Sequence, residues 1–342
     1  MIGLLFTGGT ISMRIDPATG AAVPALGAAE ILAQVPQLGD VAAFEIEDFS
    51  RLPGPHVTPE QMWRLARRTA AWLERPDIDG VVITHGTDTI EETAFLLDLV
   101  LTSAKPVVLV GAMRTVSDPS WDGPANLLAA TRVASSPAAR GQGVLVVMDD
   151  LILPARDVRK VHTEASGAFA APEFGPLGVV DGGVVHFRRC RPPRPSWDTS
   201  NPSLTDAGLR VGRLETRVSL LQVYTGIQTA IVDAHLADQA PGQATLGIAI
   251  VAFGRGNVPP AVVAPLQAAL DRGVLVTVSS RCLSGRVSPR YGYAGGGLEL
   301  ANAGALLVGE LPGSKARLLQ MVALGGTTTR DEAARIIERV TA

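Results

Sequence analysis

Short, almost wholly apolar runs alternate along this chain with longer stretches in which apolar residues recur at helical spacing. That alternation is the pattern of βαβ units around a parallel sheet. The apolar runs at 2–6, 42–49, 80–84, 106–110 and 143–148 predict strands, and 28–34, 59–74, 90–102 and 124–135 predict the helices between them. The second helix carries its own start signal. Thr58 is placed to cap it, Pro59 takes the first helical position, and Gln61 is spaced to complete a capping box. Met62, Leu65, Ala66, Thr69, Trp72 and Leu73 then fall on one face, which reads as core packing rather than a cofactor surface.

After these units the pattern changes. Residues 179–187 alternate around Gly182-Gly183 and predict a hairpin. The segment 191–202 holds four prolines, which neither a helix nor a central strand sustains. It predicts a linker over 191–210, between an N-terminal domain at 1–190 and a C-terminal one at 211–342. In the latter a shorter βα series resumes at 218–224, 227–237, 245–251, 261–272 and 274–278. Helices are expected near 314–324 and 331–340, the last with Thr329 and Glu332 spaced as a capping box. The expected class is α/β, a parallel-sheet N-terminal domain plus a smaller α/β C-terminal domain.

Composition narrows the functional classes. Of 342 residues, 46% are hydrophobic and 18% charged, which suits a folded chain with a sizeable core. A net charge of −3 offers no basic field for nucleic acid or an anionic membrane surface. The apolar runs are strand-sized, so no membrane span is expected. Met1-Ile2-Gly3-Leu4-Leu5-Phe6 lacks a basic n-region and a cleavage site, which predicts a cytoplasmic protein. Cys190 and Cys282 make no disulfide framework and read as buried or idle thiols; the five histidines show no metal-binding spacing. No metal is expected.

In open parallel sheets ligands bind beyond the carboxyl ends of strands, and three such junctions are unusual here. In Phe6-Thr7-Gly8-Gly9-Thr10-Ile11-Ser12, paired glycines flanked by hydroxyls let the backbone approach a ligand closely. The spacing is that of neither a dinucleotide fingerprint nor a phosphate loop. In Thr84-His85-Gly86-Thr87-Asp88-Thr89, Asp88 reads as a helix cap, with Glu91 spaced to complete its box. The density of polar side chains exceeds what a cap needs, and a carboxylate there also suits a substrate ammonium. The third, Leu153-Pro-Ala-Arg-Asp-Val-Arg-Lys160, reads first as a solvated loop. Yet a threonine nucleophile needs a base, and a desolvated lysine beside a carboxylate can serve.

Phe6-Thr-Gly-Gly-Thr-Ile-Ser12 and Ile83-Thr-His-Gly-Thr-Asp-Thr89 resemble the two signature motifs of the bacterial-type L-asparaginase (asparaginase/glutaminase) family. The resemblance runs on through Asp122-Gly-Pro-Ala-Asn126, Ala155-Arg-Asp-Val-Arg-Lys160, Gly254-Arg-Gly-Asn257 and Lys315-Ala-Arg-Leu318, covering essentially the whole chain. It implies hydrolysis of asparagine through an acyl-enzyme, without a cofactor, in a homotetramer or homodimer whose sites lie at subunit interfaces. By the same resemblance Thr10 is the nucleophile, Thr87 the second catalytic threonine paired with Lys160, and Asp88 the acceptor of the substrate's α-ammonium. The carbonyl of Ala112 and the side chain of Asn257 match positions lining the site.

Three features depart from the family pattern. No tyrosine follows the nucleophile, where Arg14, Asp16 and Thr19 are the polar candidates between Met13 and Leu26. Gly54 and Pro55 stand where the carboxylate-binding side chains are expected, leaving backbone groups or His56 for that task. No acidic residue lies in Val287-Ser-Pro-Arg-Tyr-Gly-Tyr-Ala294, around the Tyr291-Gly292 pair where many relatives lend one to the neighbouring subunit. Two other readings follow: a non-catalytic amino-acid-binding module of the same fold, and the D subunit of a glutamyl-tRNA amidotransferase, disfavoured because strand one begins at Ile2.

Overall fold

A computed structural model describes residues 1–192, 208–236 and 244–342. Two compact units result, one built on Met1–Pro192 and one whose described part runs within Arg210–Ala342. Residues 193–207 of the expected linker and the end of the helix expected over 227–237 lie outside the described residues.

Among the described residues the first unit is built on twelve strands, the central ones of its main sheet apolar on both faces. In chain order they are β1 (Ile2–Gly8), the short β2 (Met13–Ile15) and β3 (Ala22–Pro24), β4 (Phe44–Leu52), β5 (Gly80–Thr84), β6 (Val107–Val110) and β7 (Val144–Met148). Then follow β8 (Leu151–Pro154), β9 (Arg159–Lys160), β10 (Phe169–Ala170), β11 (Gly178–Asp181) and β12 (Val184–Phe187). The main sheet has the order β12-β11-β8-β7-β6-β5-β1-β4. β4, β1, β5, β6 and β7 are parallel, and the antiparallel β8, β11 and β12 extend the sheet at one edge.

Helices α1 (Ala28–Ala33), α2 (Pro59–Leu73), α3 (Ile90–Val100) and α4 (Gly123–Ser135) connect the parallel strands. A Cβ on Gly3 would enter the ring of Trp72 in α2, and one on Gly80 would lie 2.8 Å from the Ala134 carbonyl in α4. Gly80 is in register with Ile2, the neighbour of Gly3, so these helices cover opposite faces of the sheet. Strand order therefore reverses at β1: the chain leaves it for β4 on one side and returns to β5 on the other.

In the second unit β13 (Val218–Gln222), β14 (Gly247–Ala252), β15 (Leu275–Ser280) and β16 (Leu306–Leu307) form a parallel sheet in that order. With them go α5 (Thr229–Leu236), α6 (Val263–Asp271), α7 (Gly297–Asn302), α8 (Gly313–Gly325) and α9 (Arg330–Thr341). Ile248, Ile250, Val276, Val278 and Leu266 are among the residues of its core. The Thr329–Glu332 capping box of α9 is present.

Several local expectations are revised. Thr58 Oγ1 does accept from Gln61 N, but the Gln61 side-chain Oε1 accepts from Arg64 rather than closing a box. The segment after Thr10, expected as a loop, is the β2–β3 hairpin. Its turn uses Asp16 and Thr19 itself, since Asp16 accepts from Ala18 N and from the Thr19 hydroxyl. The charged segment expected as a solvated loop is part sheet, because Leu151–Pro154 pairs with β7 and Arg159–Lys160 with β10. Such strands are too short to show a period. Cys190 and Cys282 are both free and exposed, not buried. Among the described residues no helix is long and apolar enough to cross a membrane.

One buried charge ties the helices to the sheet. Asp98 on α3, 4% exposed, accepts from Val144 N at 2.8 Å and holds Arg191 through both its oxygens. Removing one member of a buried pair leaves the other uncompensated. Asp98→Ala is expected to lower unfolding free energy by about 3 kcal/mol, read as a shifted urea midpoint at unchanged slope. A midpoint like that of the parent chain contradicts this role.

Candidate active site

The reversal of strand order at β1 makes the carboxyl ends of β1 and β5 the natural crevice of this sheet. Glycines bring the loops leaving those strands into backbone contact. A Cβ on Gly9 would lie 2.5 Å from Cα and N of Gly86, and one on Gly86 would lie 2.6 Å from Cα and N of Gly54. Gly9 also has φ +86°, a conformation that L side chains rarely adopt. Thr10 and Thr87 each follow one of these touching glycines, so the contact sets both hydroxyl-bearing residues beyond the same end of the sheet. Thr10 opens the single helical turn Thr10–Ser12 and is half-buried; Thr87 is buried.

The β1 turn is also fixed by hydroxyls. Thr7 donates its Oγ1 proton to the Thr84 carbonyl at 2.6 Å, its N–H goes to Thr84 Oγ1, and Ser50 Oγ donates to the Thr7 carbonyl. Three neighbouring strands are thereby tied at one level.

Lys160 reaches this site from the β9–β10 ribbon. Its ammonium donates to Thr87 Oγ1 at 3.0 Å and to Asp88 Oδ1 at 2.7 Å. The lysine side chain is 17% exposed and that of Asp88 57%, so the carboxylate faces solvent while the amine is largely enclosed. Asp88 is therefore not the helix cap expected from the sequence. Thr89 occupies that position, with no side-chain cap bond, because its hydroxyl donates to the Gly54 carbonyl. Glu91 closes no box either: its carboxylate accepts from the Lys160 main-chain N–H. A cavity of about 400 Å³ is lined by Asp88, Glu91, Lys160, Val161, His162 and Thr163.

The remaining expected residues divide. Gly54 is buried against Asp88, whereas Pro55 and His56 lie exposed on the turn that follows. A Cβ on Gly54 would meet only ordinary contacts at 3.4 Å, so glycine is required at 86 but not at 54. Ala112 is fully buried, next to Gly111, whose added Cβ would touch the Thr87 methyl at 3.0 Å. Asn257 belongs to the second unit, where its Oδ1 accepts from Gly297 N.

Sequence reasoning passed over three supports of this site. His85 is fully buried beneath the Thr87 turn; its Nδ1 bonds the Gly86 carbonyl and its Nε2 the Thr93 hydroxyl, each at 2.9 Å. A carbonyl only accepts, so Nδ1 carries the proton and Nε2 accepts from Thr93. Asp122 takes the N–H groups of Met113 and Arg114, and Asn126 donates to the Gly111 carbonyl, bracing the Ala112 segment from both sides. The Asp122-Gly-Pro-Ala-Asn126 motif was the available signal.

Comparison with known proteins finds similarity along nearly the whole chain. The model of the asparaginase N-terminal region matches residues 1–192, and that of the glutaminase/asparaginase C-terminal domain matches 217–337. A probable L-asparaginase of Deinococcus radiodurans is 40% identical, over 98% of this chain and 96% of its own. A glutaminase-asparaginase of Pseudomonas fluorescens is 35% identical, over 97% and 88%. The crystal structure of a probable cytoplasmic L-asparaginase from Campylobacter jejuni superposes with a TM-score of 0.84 at 33% identity, covering 98% of each chain.

His85 makes the turn sensitive to acid. Burial lowers its pKa from 6.5 to about 4, outweighing the opposing effect of the Gly86 carbonyl. The unfolded chain then binds a proton that the folded chain refuses, so stability is complete above pH 6.5 and falls as pH drops towards 4. The full effect is about 3 kcal/mol. A His85→Gln variant should show a stability–pH slope flatter by about one proton in that window, measured by denaturant titration at several pH values. Parallel slopes in the two proteins contradict the assignment.

Proposed function

The chain belongs to the asparaginase family, and from that premise we propose that it is an L-asparaginase, hydrolysing the side-chain amide of L-asparagine to L-aspartate and ammonia. One observation carries this reading: a single ammonium, that of Lys160, bridges Thr87 Oγ1 and Asp88 Oδ1 beside the Gly9–Gly86 contact. Hydroxyl, amine and carboxylate are thus joined at the end of the sheet where a ligand crevice belongs.

In the proposed reaction the Thr10 hydroxyl oxygen attacks the side-chain amide carbon, and its proton is taken up by a base. The carbonyl oxygen becomes an oxyanion held by backbone N–H groups at the glycine turns. Collapse of the tetrahedral species breaks the C–N bond, and ammonia leaves with a proton, giving an ester on Thr10. A water oriented by Thr87 and Lys160 then attacks the ester carbon, and its proton passes to the Thr10 oxygen as that C–O bond breaks, which frees aspartate and restores the hydroxyl. Asp88, more than half exposed, is the proposed partner of the α-ammonium. That choice favours a free amino acid over a peptide-internal asparagine.

Around this chemistry the pocket is unusual. With Asp16 and Thr19 engaged in the hairpin turn, Arg14 is the exposed polar side chain of the flap that follows Thr10. Gly54 contributes backbone rather than a hydroxyl to the α-carboxylate subsite, with Pro55, His56 and Ala112 as its proposed surroundings. A homotetramer or homodimer is proposed from the family resemblance, and a cytoplasmic location from the description of the Campylobacter jejuni relative.

Ammonia release from asparagine and glutamine tests the reading directly. One methylene changes pocket preference by about 1–3 kcal/mol, so glutamine is expected to be the poorer substrate, not an excluded one. Thr10→Ala should abolish turnover while aspartate still binds by calorimetry, the result that separates an enzyme from a binding module. Folded protein that releases ammonia from neither amide refutes the proposal.

A further inference from the structure

We propose that Glu91 is a positioning residue of this site, holding the Lys160 main chain so that its ammonium reaches Thr87 and Asp88; the inference rests on the reading of Lys160 as the activating partner of Thr87. Lys160 does not sit on the main sheet. It is the second residue of the two-residue strand β9, paired only with the equally short β10, where Val161 N donates to the Ala168 carbonyl. So short a ribbon does not fix a side chain by itself.

The N–H of Lys160 points instead towards α3, and Glu91 Oε2 accepts it at 2.5 Å. The other carboxylate oxygen, Oε1, lies 3.6 Å from Nε of Arg159. Glu91 therefore grips two consecutive residues of the ribbon, one by its main chain and one by its guanidinium. Because Glu91 belongs to the first turn of α3, it also shares a rigid body with the threonine it serves. Every residue of that helix from Thr93 to Val100 is buried, and Thr87 and Asp88 lie in the turn leading directly into it. Glu91 lines the same cavity as Asp88 and Lys160 while only 14% exposed.

Helix-end electrostatics offers a simpler account, since acidic residues are favoured in a helix's first turn. That account needs a negative charge and no particular hydrogen bond. A positioning role needs an acceptor oxygen at this length, whatever its charge. Glutamine keeps the acceptor and loses the charge; methionine keeps the length and loses the acceptor.

Steady-state ammonia release from asparagine is measured for Glu91→Gln, Glu91→Met and Glu91→Ala, with thermal midpoints as a folding control. Expected is a kcat about tenfold to a hundredfold lower for the Met and Ala variants, at a KM within about threefold of the parent. Glu91→Gln should keep kcat within about threefold. If Ala does not fold, the Gln and Met pair decides. Equal loss in the Gln and Met variants overturns the inference, as does a kcat preserved in both. Lys160→Met is assayed alongside: if it stays active, the reading of Lys160 fails; if it alone is inactive, only the role of Glu91 falls.

Discussion

The contact on which this site depends is between backbones. Gly9, Gly86 and Gly54 come from loops that follow three adjacent parallel strands, and they stack so closely that a methyl group on Gly9 or Gly86 would overlap its neighbour's main chain. Thr10 and Thr87 have to be brought to the same end of the sheet. The absence of Cβ atoms allows this, letting the loops meet above the point where strand order reverses. Hydroxyl bonds among Thr7, Thr84 and Ser50 fix the level of the contact from below, and the His85 imidazole fills the space under the second turn.

A second constraint is electrostatic and comes from farther along the chain. The Lys160 ammonium is carried in on a ribbon outside the main sheet and meets a hydroxyl and a carboxylate belonging to successive residues. A largely enclosed cation of this kind is stabilised when its donors are used. Here two are used on Thr87 and Asp88. The site is thus assembled from one rigid half, the glycine-packed turns, and one tethered half, the lysine ribbon. Glu91 lies on the seam between them.

The flap after the nucleophile follows a related logic. Ser12 accepts from Ala25 and Leu26 through its carbonyl, Val116 N donates to the Met13 carbonyl, and Ser117 Oγ accepts from Ile15 N. A hairpin braced on both sides replaces the tyrosine-bearing loop that the resemblance leads one to expect, and its turn engages two of the three polar candidates internally.

Much of this was legible in the residues alone. Apolar runs placed β5 at its observed ends, and β1, β6, β7 and α2 to α4 within two residues; buried parallel strands must be apolar on both faces, and that leaves a readable mark. Thr10, Thr87 and Asp88 stood out as polar residues crowded at strand ends, whereas Lys160 read first as part of a solvated loop and its pairing with Thr87 was what the family resemblance implied. What the sequence could not carry was anything set by partners distant along the chain. Strands β8 to β10 are too short for a period, so pairing alone made them strands. Asp88 looked like a cap until Lys160, 72 positions away, claimed its carboxylate, and Glu91 looked like half of a capping box until that same lysine's N–H arrived. Local spacing names which groups can hydrogen-bond, but only the packing of strand on strand decides which partner comes within three ångströms.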